Sequence, residues 1–359
     1  MKLKSLTEDK YTLSDIFIKH HEFWLMIPPV IYLLTPIVHM IAFAFLYKDP
    51  EEWSLKEYFH FFDTGEWAGD YYSPIIHYAF FLGAFFTIIA IATHIAYIKK
   101  TDQKLVNPDS IPLFFFIAYS ALIIVSTIIN KTEIKYILGD TSRAEGVLQV
   151  IGYMLIFYLC ASLIKKENFK NFIVWFFLAT SAVIGILTLI NKYVTDVTII
   201  GDAYVCGIFY THNFYAYYLA MAITLAAGIV ALKKNKAERA AAFIIMCMNT
   251  GILAINDSFG PFLASIVSFI FLLIAVSYKR RKFSFTVLLL FAVFMGIVFI
   301  IGLFAPSFFS EFVSLGKDVK KIVTDSEDAG NAGTLRWTLW THTAKYIKEK
   351  PIFGWGIEG

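Results

Sequence analysis

Of 359 residues, 58% are hydrophobic, 18% aromatic and only 16% charged, with a mean hydropathy of +0.64. That charge content lies well below the roughly 25% of a soluble domain and excludes an ordinary solvated enzyme, so an integral membrane protein is expected. The formal net charge of +3 excludes little by itself, because in a bilayer protein the information lies in where the lysines and arginines sit.

The N-terminal stretch "MKLKSLTEDKYTLSDIFIKHHEF" is too polar, and too long before its first apolar run, to be a cleavable signal peptide, and reads as a cytoplasmic lead-in. Nine apolar runs with charged borders follow, at 24–47, 75–98, 111–130, 147–164, 171–191, 213–232, 240–256, 260–278 and 283–304. The first contains Pro28, Pro29 and Pro36, which lack backbone donors and are expected to kink or shorten it. Residues 48–74 are rich in Trp, Tyr and Phe, as befits a loop at headgroup level. The expectation is an all-α polytopic fold of about nine transmembrane helices. It comprises a membrane domain over 1–304 and an extracytoplasmic loop over 305–359 that carries an amphipathic helix. Cys160, Cys206 and Cys247 form no C-x-x-C pair, and neither a disulfide framework nor a metal site is implied.

Most of the lysine and arginine outside the final loop falls at 1–22, 99–109, 165–170, 233–239 and 279–282, which alternate with poorer connections. The positive-inside rule then places the N-terminus in the cytoplasm and 305–359 outside. No Asp, Glu, Lys or Arg lies near the centre of an expected span, which argues against a proton-coupled pump, whose intramembrane carboxylates are costly and kept for function. The chemistry-bearing residues gather instead on the expected outer face. They lie in "LGDTSRAEG" (138–146), "GDAYVCGIFYTHNF" (201–214), "INDSFGP" (255–261) and the terminal loop, which are expected to line one site.

In the terminal loop Trp337, Trp340, Ala344 and Ile347 form an apolar helical stripe. Lys345, Lys348 and Lys350 suit the negative end of that helix, and Pro351 ends it. Arg336 stands in the first turn, where the helix end is already positive. It is either a ligand for phosphate or pyrophosphate beside free backbone N–H groups, or part of a surface-lying helix, paired with Asp325, Glu327 or Asp328. Periodicity alone leaves both open, the second being the simpler. Arg143 is either a solvated or snorkelling charge or a second phosphate contact. His212 and Asn213 read as a helix cap and its neighbour, or as sugar and phosphate contacts. Asp257, Ser258 and Gly260 read first as a tight turn. His39, His77 and His94 lack ligand spacing and read as packed histidines.

The terminal segment "GTLRWTLWTHTAKYIKEKPIFGWGIEG" resembles the signature of the O-antigen ligase and polysaccharide polymerase superfamily, with its Arg, following Trp and Pro-x-x-Gly-x-Gly turn. "GDTSRAEGVLQVIGYMLIFY" is similar to the family's Gly...Arg-x-x-Gly opening of a span. "GIFYTHNFYAYYLAMAI" is similar to its Gly-x-Phe...Asn segment, and "NDSFGPFLASIVSFIFLLI" to the turn and span that follow. The resemblance covers most of 110–359. The chain departs at Tyr204, where an Arg is common, and at Phe259 within a Ser-Arg-Gly turn. The family's later histidine motif does not precede Gly359, which suggests a chain that ends within its loop.

The resemblance implies a metal-independent glycosyltransferase of C-type (GT-C-like) architecture in the bacterial cytoplasmic membrane, with no cofactor. It would transfer or polymerise glycan units from an undecaprenyl pyrophosphate carrier onto a second lipid-linked glycan. Arg336 and Arg143 would be the catalytic pyrophosphate contacts. Substrate-binding roles fall to Asn213, His212, Glu145, Asp257, Ser258, Trp340, Gly354 and Gly356. The implied partners are the lipid-linked donor and acceptor, membrane lipid and other polysaccharide-assembly proteins, not nucleic acid. Richness in Lys, Ile, Phe and Tyr suggests an AT-rich, Gram-positive genome, hence capsule or exopolysaccharide polymerisation over ligation. A flippase or exporter of lipid-linked glycans, or an inactive assembly scaffold, are the alternatives.

Overall fold

The computed structural model describes residues 19–46, 68–101, 111–132, 146–160, 166–193, 212–256, 258–304 and 336–355, with single positions at 137, 164, 209, 314, 317, 320, 321, 323 and 324. These form ten main helices and, among the described residues, no strand. They are α1 (His21–Leu46), α2 (Ala68–Thr101), α3 (Ile111–Ile129), α4 (Val147–Tyr158), α5 (Glu167–Tyr193), α6 (His212–Leu232), α7 (Lys236–Asn256), α8 (Phe259–Arg280), α9 (Phe285–Phe304) and α10 (Arg336–Glu349). Helices α1–α9 overlap the nine apolar runs of the sequence.

Among the described residues, six helical segments are long and apolar enough to cross a bilayer: Phe81–Thr101, Glu167–Ile190, His212–Leu232, Lys236–Asn256, Phe259–Arg280 and Phe285–Phe304. Phe114–Ile129 and Val147–Tyr158 are apolar but shorter. α1 runs unbroken through Pro28, Pro29 and Pro36, so the prolines do not end it. Large side chains such as Phe271, Ile274, Phe285, Leu289 and Phe299 face outward, an arrangement that water would penalise and lipid favours. Hydroxyls inside the apolar helices are satisfied locally: Thr87, Thr188 and Thr250 donate to the carbonyls of Gly83, Ile184 and Met246 at 2.7–2.8 Å.

Two compact units divide the chain: Met1–Thr35, Pro74–Ile173 and Gly356–Gly359 in one, Pro36–Ser73 and Val174–Trp355 in the other. In the first, Leu25, Met26, Ala90, Leu159 and Ile164 form the core. His21 stacks on Tyr97 with ring centroids 3.6 Å apart, and buried His94 packs beside them, as a structural histidine should. Glu22 pairs with Lys166 at 2.7 Å. α1 and α2 meet where Tyr32 lies against Gly83; a Cβ on that glycine would stand 2.5 Å from the ring.

The second unit is built on α6. Its buried face carries Ala216, Ala220, Ala222, Ala226 and Ala227, small residues that let neighbouring helices approach closely. α7 contributes Ala242, Met246, Asn249, Leu253 and Asn256, spaced alternately by four and three. α8 and α9 interlock through aromatic rings, Phe262 on Phe294 at 5.7 Å and Phe269 on Phe294 at 5.3 Å. Links of only a few residues (233–235, 257–258 and 281–284) make α6 to α9 run alternately in opposite directions, with α7 and α8 both packed on α6 and α9 packed on α7 and α8. One end of this bundle therefore gathers the start of α6, the end of α7 and the start of α8. The other gathers Lys233, Lys234, Lys236 and the basic run 279–282. At that basic end Arg281 adopts the left-handed conformation, φ 52°, to close α8, and the Arg280 guanidinium donates to the Ala231 carbonyl.

Candidate functional site

The less basic end of the α6–α9 bundle is held by side chains. Asn256, fully buried at the last turn of α7, donates through Nδ2 to the His212 carbonyl at 3.1 Å, fixing the first residue of α6 to the end of α7. α5 joins the same end: Thr188 Oγ1 and the Tyr215 hydroxyl lie 3.1 Å apart, and Phe209 stacks on Tyr215 at 5.3 Å. Deeper, Thr180 meets the Tyr218 hydroxyl at 3.2 Å, and Asn249 Nδ2 donates to Ser181 Oγ at 3.1 Å.

The start of α8 is the chemically open part. Ser258 is its N-cap, with φ −97° and ψ 108°, yet its hydroxyl makes no capping bond. That oxygen is buried and has no hydrogen-bond partner among the described residues. Pro261, in the first turn, lacks an N–H, while Phe259 and Gly260 keep theirs at the positive end of the helix. Gly260 lies beside Tyr217, whose hydroxyl would be 3.3 Å from an added Cβ. Backbone donors, a helix dipole and an uncommitted hydroxyl suit an oxyanion.

Of the residues expected to form the site, His212, Asn213 and Ser258 stand at this same end. Trp340 and Gly354 belong to α10 and the turn after it. Trp340 is exposed, and Gly354, with φ +61°, takes the left-handed conformation that glycine tolerates. The backbone of Arg336 opens α10. Arg143, Glu145, Asp257 and Gly356 lie outside the described residues, as does Cys206. The Arg143 segment does lead into a helix, since Gly146 precedes α4 and its N–H donates to Gln149 Oε1 at 2.9 Å. Among the described residues no three His, Cys, Asp or Glu side chains are grouped to hold a metal ion.

Sequence reasoning missed Asn256 and Tyr217. Asn256 could have been found as an amide at the end of an apolar run, immediately before the Asp-Ser turn. Tyr217 gives no sequence signal, because its role comes from facing Gly260 on another helix.

The family model for O-antigen ligase matches residues 241–359, from within α7 through α8, α9 and α10. Over that stretch the chain is similar to the O-antigen ligase family, in a protein whose helices include several long and apolar enough to cross a membrane. No curated protein and no solved structure matches the chain.

Proposed function

We propose, from the O-antigen ligase match over residues 241–359, that this chain transfers or polymerises glycan units carried on undecaprenyl pyrophosphate at the outer face of a bacterial cytoplasmic membrane. That match is the observation that carries the reading. In the reaction an acceptor hydroxyl oxygen attacks the anomeric carbon of the donor glycan. The bond from that carbon to the pyrophosphate oxygen breaks, the electron pair leaves with the lipid pyrophosphate, and the hydroxyl proton passes to a base.

The main electrostatic demand is the negative charge growing on the leaving pyrophosphate. Arg336 and Arg143 are proposed to meet it, because a planar guanidinium can donate two parallel bonds to phosphate oxygens. Glu145 and Asp257 are proposed to orient the attacking hydroxyl. His212, Asn213 and Ser258 would line the glycan path, a reading supported by their position at one end of the bundle and by the open start of α8. Trp340, Gly354 and Gly356 would shape the site from the terminal loop. The chemistry is proposed to need no metal, and capsule or exopolysaccharide is the proposed product.

The test is lengthening of a lipid-linked repeat unit by the full-length protein in detergent, where transport across a membrane cannot contribute. Arg336→Lys should abolish long products while leaving protein yield unchanged. Losing one well-placed donor to developing charge costs about 3–4 kcal/mol, roughly 10²–10³ in rate. Normal product lengths from Arg336→Lys would remove Arg336 from the reaction. No lengthening by the unmodified full-length protein would overturn the transferase reading itself.

A further inference from the structure

α10 gathers its large apolar side chains on one half of the helix and most of its polar ones on the other. At about 100° per residue, Trp337, Leu339, Trp340, Ala344, Tyr346 and Ile347 fall on one half of the helix, together with Arg336 and Thr343. Thr338, Thr341, His342, Lys345, Lys348 and Glu349 fall on the other. The apolar half is uncovered: Leu339 and Trp340 are each 63% exposed and Ile347 58%. With fourteen residues α10 reaches only about 21 Å, too short for the roughly 30 Å hydrocarbon layer.

The turn after it extends the same kind of surface. Pro351 ends the helix, and the Gly354 N–H donates to the Lys350 carbonyl at 3.1 Å. This brings Trp355 back onto the helix, where its Nε1 donates to the Tyr346 carbonyl at 3.3 Å and its ring meets Tyr346 edge-on at 6.0 Å. Lys350 Nζ lies 3.9 Å from the centre of the Trp355 ring. Ile352 and Phe353 remain exposed beside it. Rings with one polar edge, long aliphatic side chains and flanking ammonium groups are what the boundary between acyl chains and headgroups selects. Lys345, Lys348 and Lys350 outnumber Glu349 in the last turn and a half, so the boundary is an anionic one.

We infer that α10 and its Pro351–Trp355 turn lie in the plane of the bilayer, seated on anionic phospholipid headgroups with Leu339, Trp340 and Ile347 toward the acyl chains. This goes beyond the glycosyl-transfer reading and does not depend on it; an inactive chain would still seat this helix.

The test uses the full chain with Cys160, Cys206 and Cys247 replaced by alanine, spin-labelled at Ile347→Cys or Lys345→Cys. Each protein is reconstituted into vesicles of equal parts phosphatidylcholine and phosphatidylglycerol, and collision rates with oxygen and with a water-soluble nickel chelate are compared. The label at 347 should favour oxygen over the nickel reagent several-fold, and the label at 345 should show the reverse. Equal nickel accessibility at both positions would place the helix in water. A label at 347 shielded from both reagents would place that face against protein. Either result overturns the inference. Replacing Lys345, Lys348 and Lys350 by Gln, with the label at 347, should raise nickel accessibility several-fold in the same vesicles. No change would overturn the anionic-headgroup assignment.

Discussion

Two glycines show how much of this molecule is decided by single contacts. At Gly83 an added methyl would stand 2.5–2.7 Å from two ring carbons and the hydroxyl oxygen of Tyr32, a flat, stiff group held between α1 and α2. At Gly185 it would meet Met248 Cε at 2.8 Å and Ile252 Cδ1 at 2.9 Å, the tips of flexible side chains. Both distances are too short, but only the second neighbourhood can rotate away cheaply. Gly83→Ala should therefore destabilise the protein in detergent by about 1–3 kcal/mol, the usual cost of overpacking, and Gly185→Ala by less than about 1 kcal/mol. Thermal denaturation of the purified variants checks both, and equal losses would show that side-chain stiffness is not what separates them. Neither glycine was marked in the sequence reading, because a close approach between helices leaves no local trace in the chain. Ser258 was legible for the opposite reason: a polar residue beside Gly260 and Pro261 at the border of an apolar run advertises a helix end.

At the scale of elements the sequence reading succeeds where hydropathy and charge agree. α6 to α9 begin and end within a few residues of the expected spans, since Lys233–Lys236 and Lys279–Lys282 resist entry into hydrocarbon and border predominantly apolar runs. At α4, expected over 147–164, the α-helix covers Val147–Tyr158, Leu159 and Cys160 extend it as a wider turn, and the Ile164 N–H donates to the Leu159 carbonyl at 3.0 Å. Hydropathy is silent on which face of a buried helix packs. The alanine face of α6 emerges only from the structure, and it makes a test. Ala226 is fully buried within the central cluster, whereas Met221 is exposed on the outward side of the same helix. Ala226→Leu should cost about 1–3 kcal/mol by forcing helices apart, and Met221→Leu should be nearly neutral. Detergent-unfolding midpoints distinguish them, and comparable shifts would mean that the alanine face does not set the helix spacing.

For the whole molecule the deciding quantity is orientation. The α6–α9 bundle has one strongly basic end, with Lys233, Lys234, Lys236 and the 279–282 run, and an opposite end that holds His212, Asn256 and Ser258. Translocation of short loops is opposed by lysine and arginine, so the basic end should remain in the cytoplasm and the Ser258 end should face outward, where outer-face glycan transfer requires it. α5 reports on the same question, because its Thr188 contact with Tyr215 brings the end of α5 to the Ser258 side. Exposed Lys192 in the last turn of α5 and exposed Lys234 between α6 and α7 are thus expected on opposite faces of the membrane. With the native cysteines removed, Lys192→Cys should react with a membrane-impermeant maleimide on intact cells, and Lys234→Cys only after permeabilisation. The reverse pattern would turn the open start of α8 toward the cytoplasm, away from any lipid-linked donor displayed outside. Arg336, which follows α9 and so returns to the side where α8 begins, would turn inward with it.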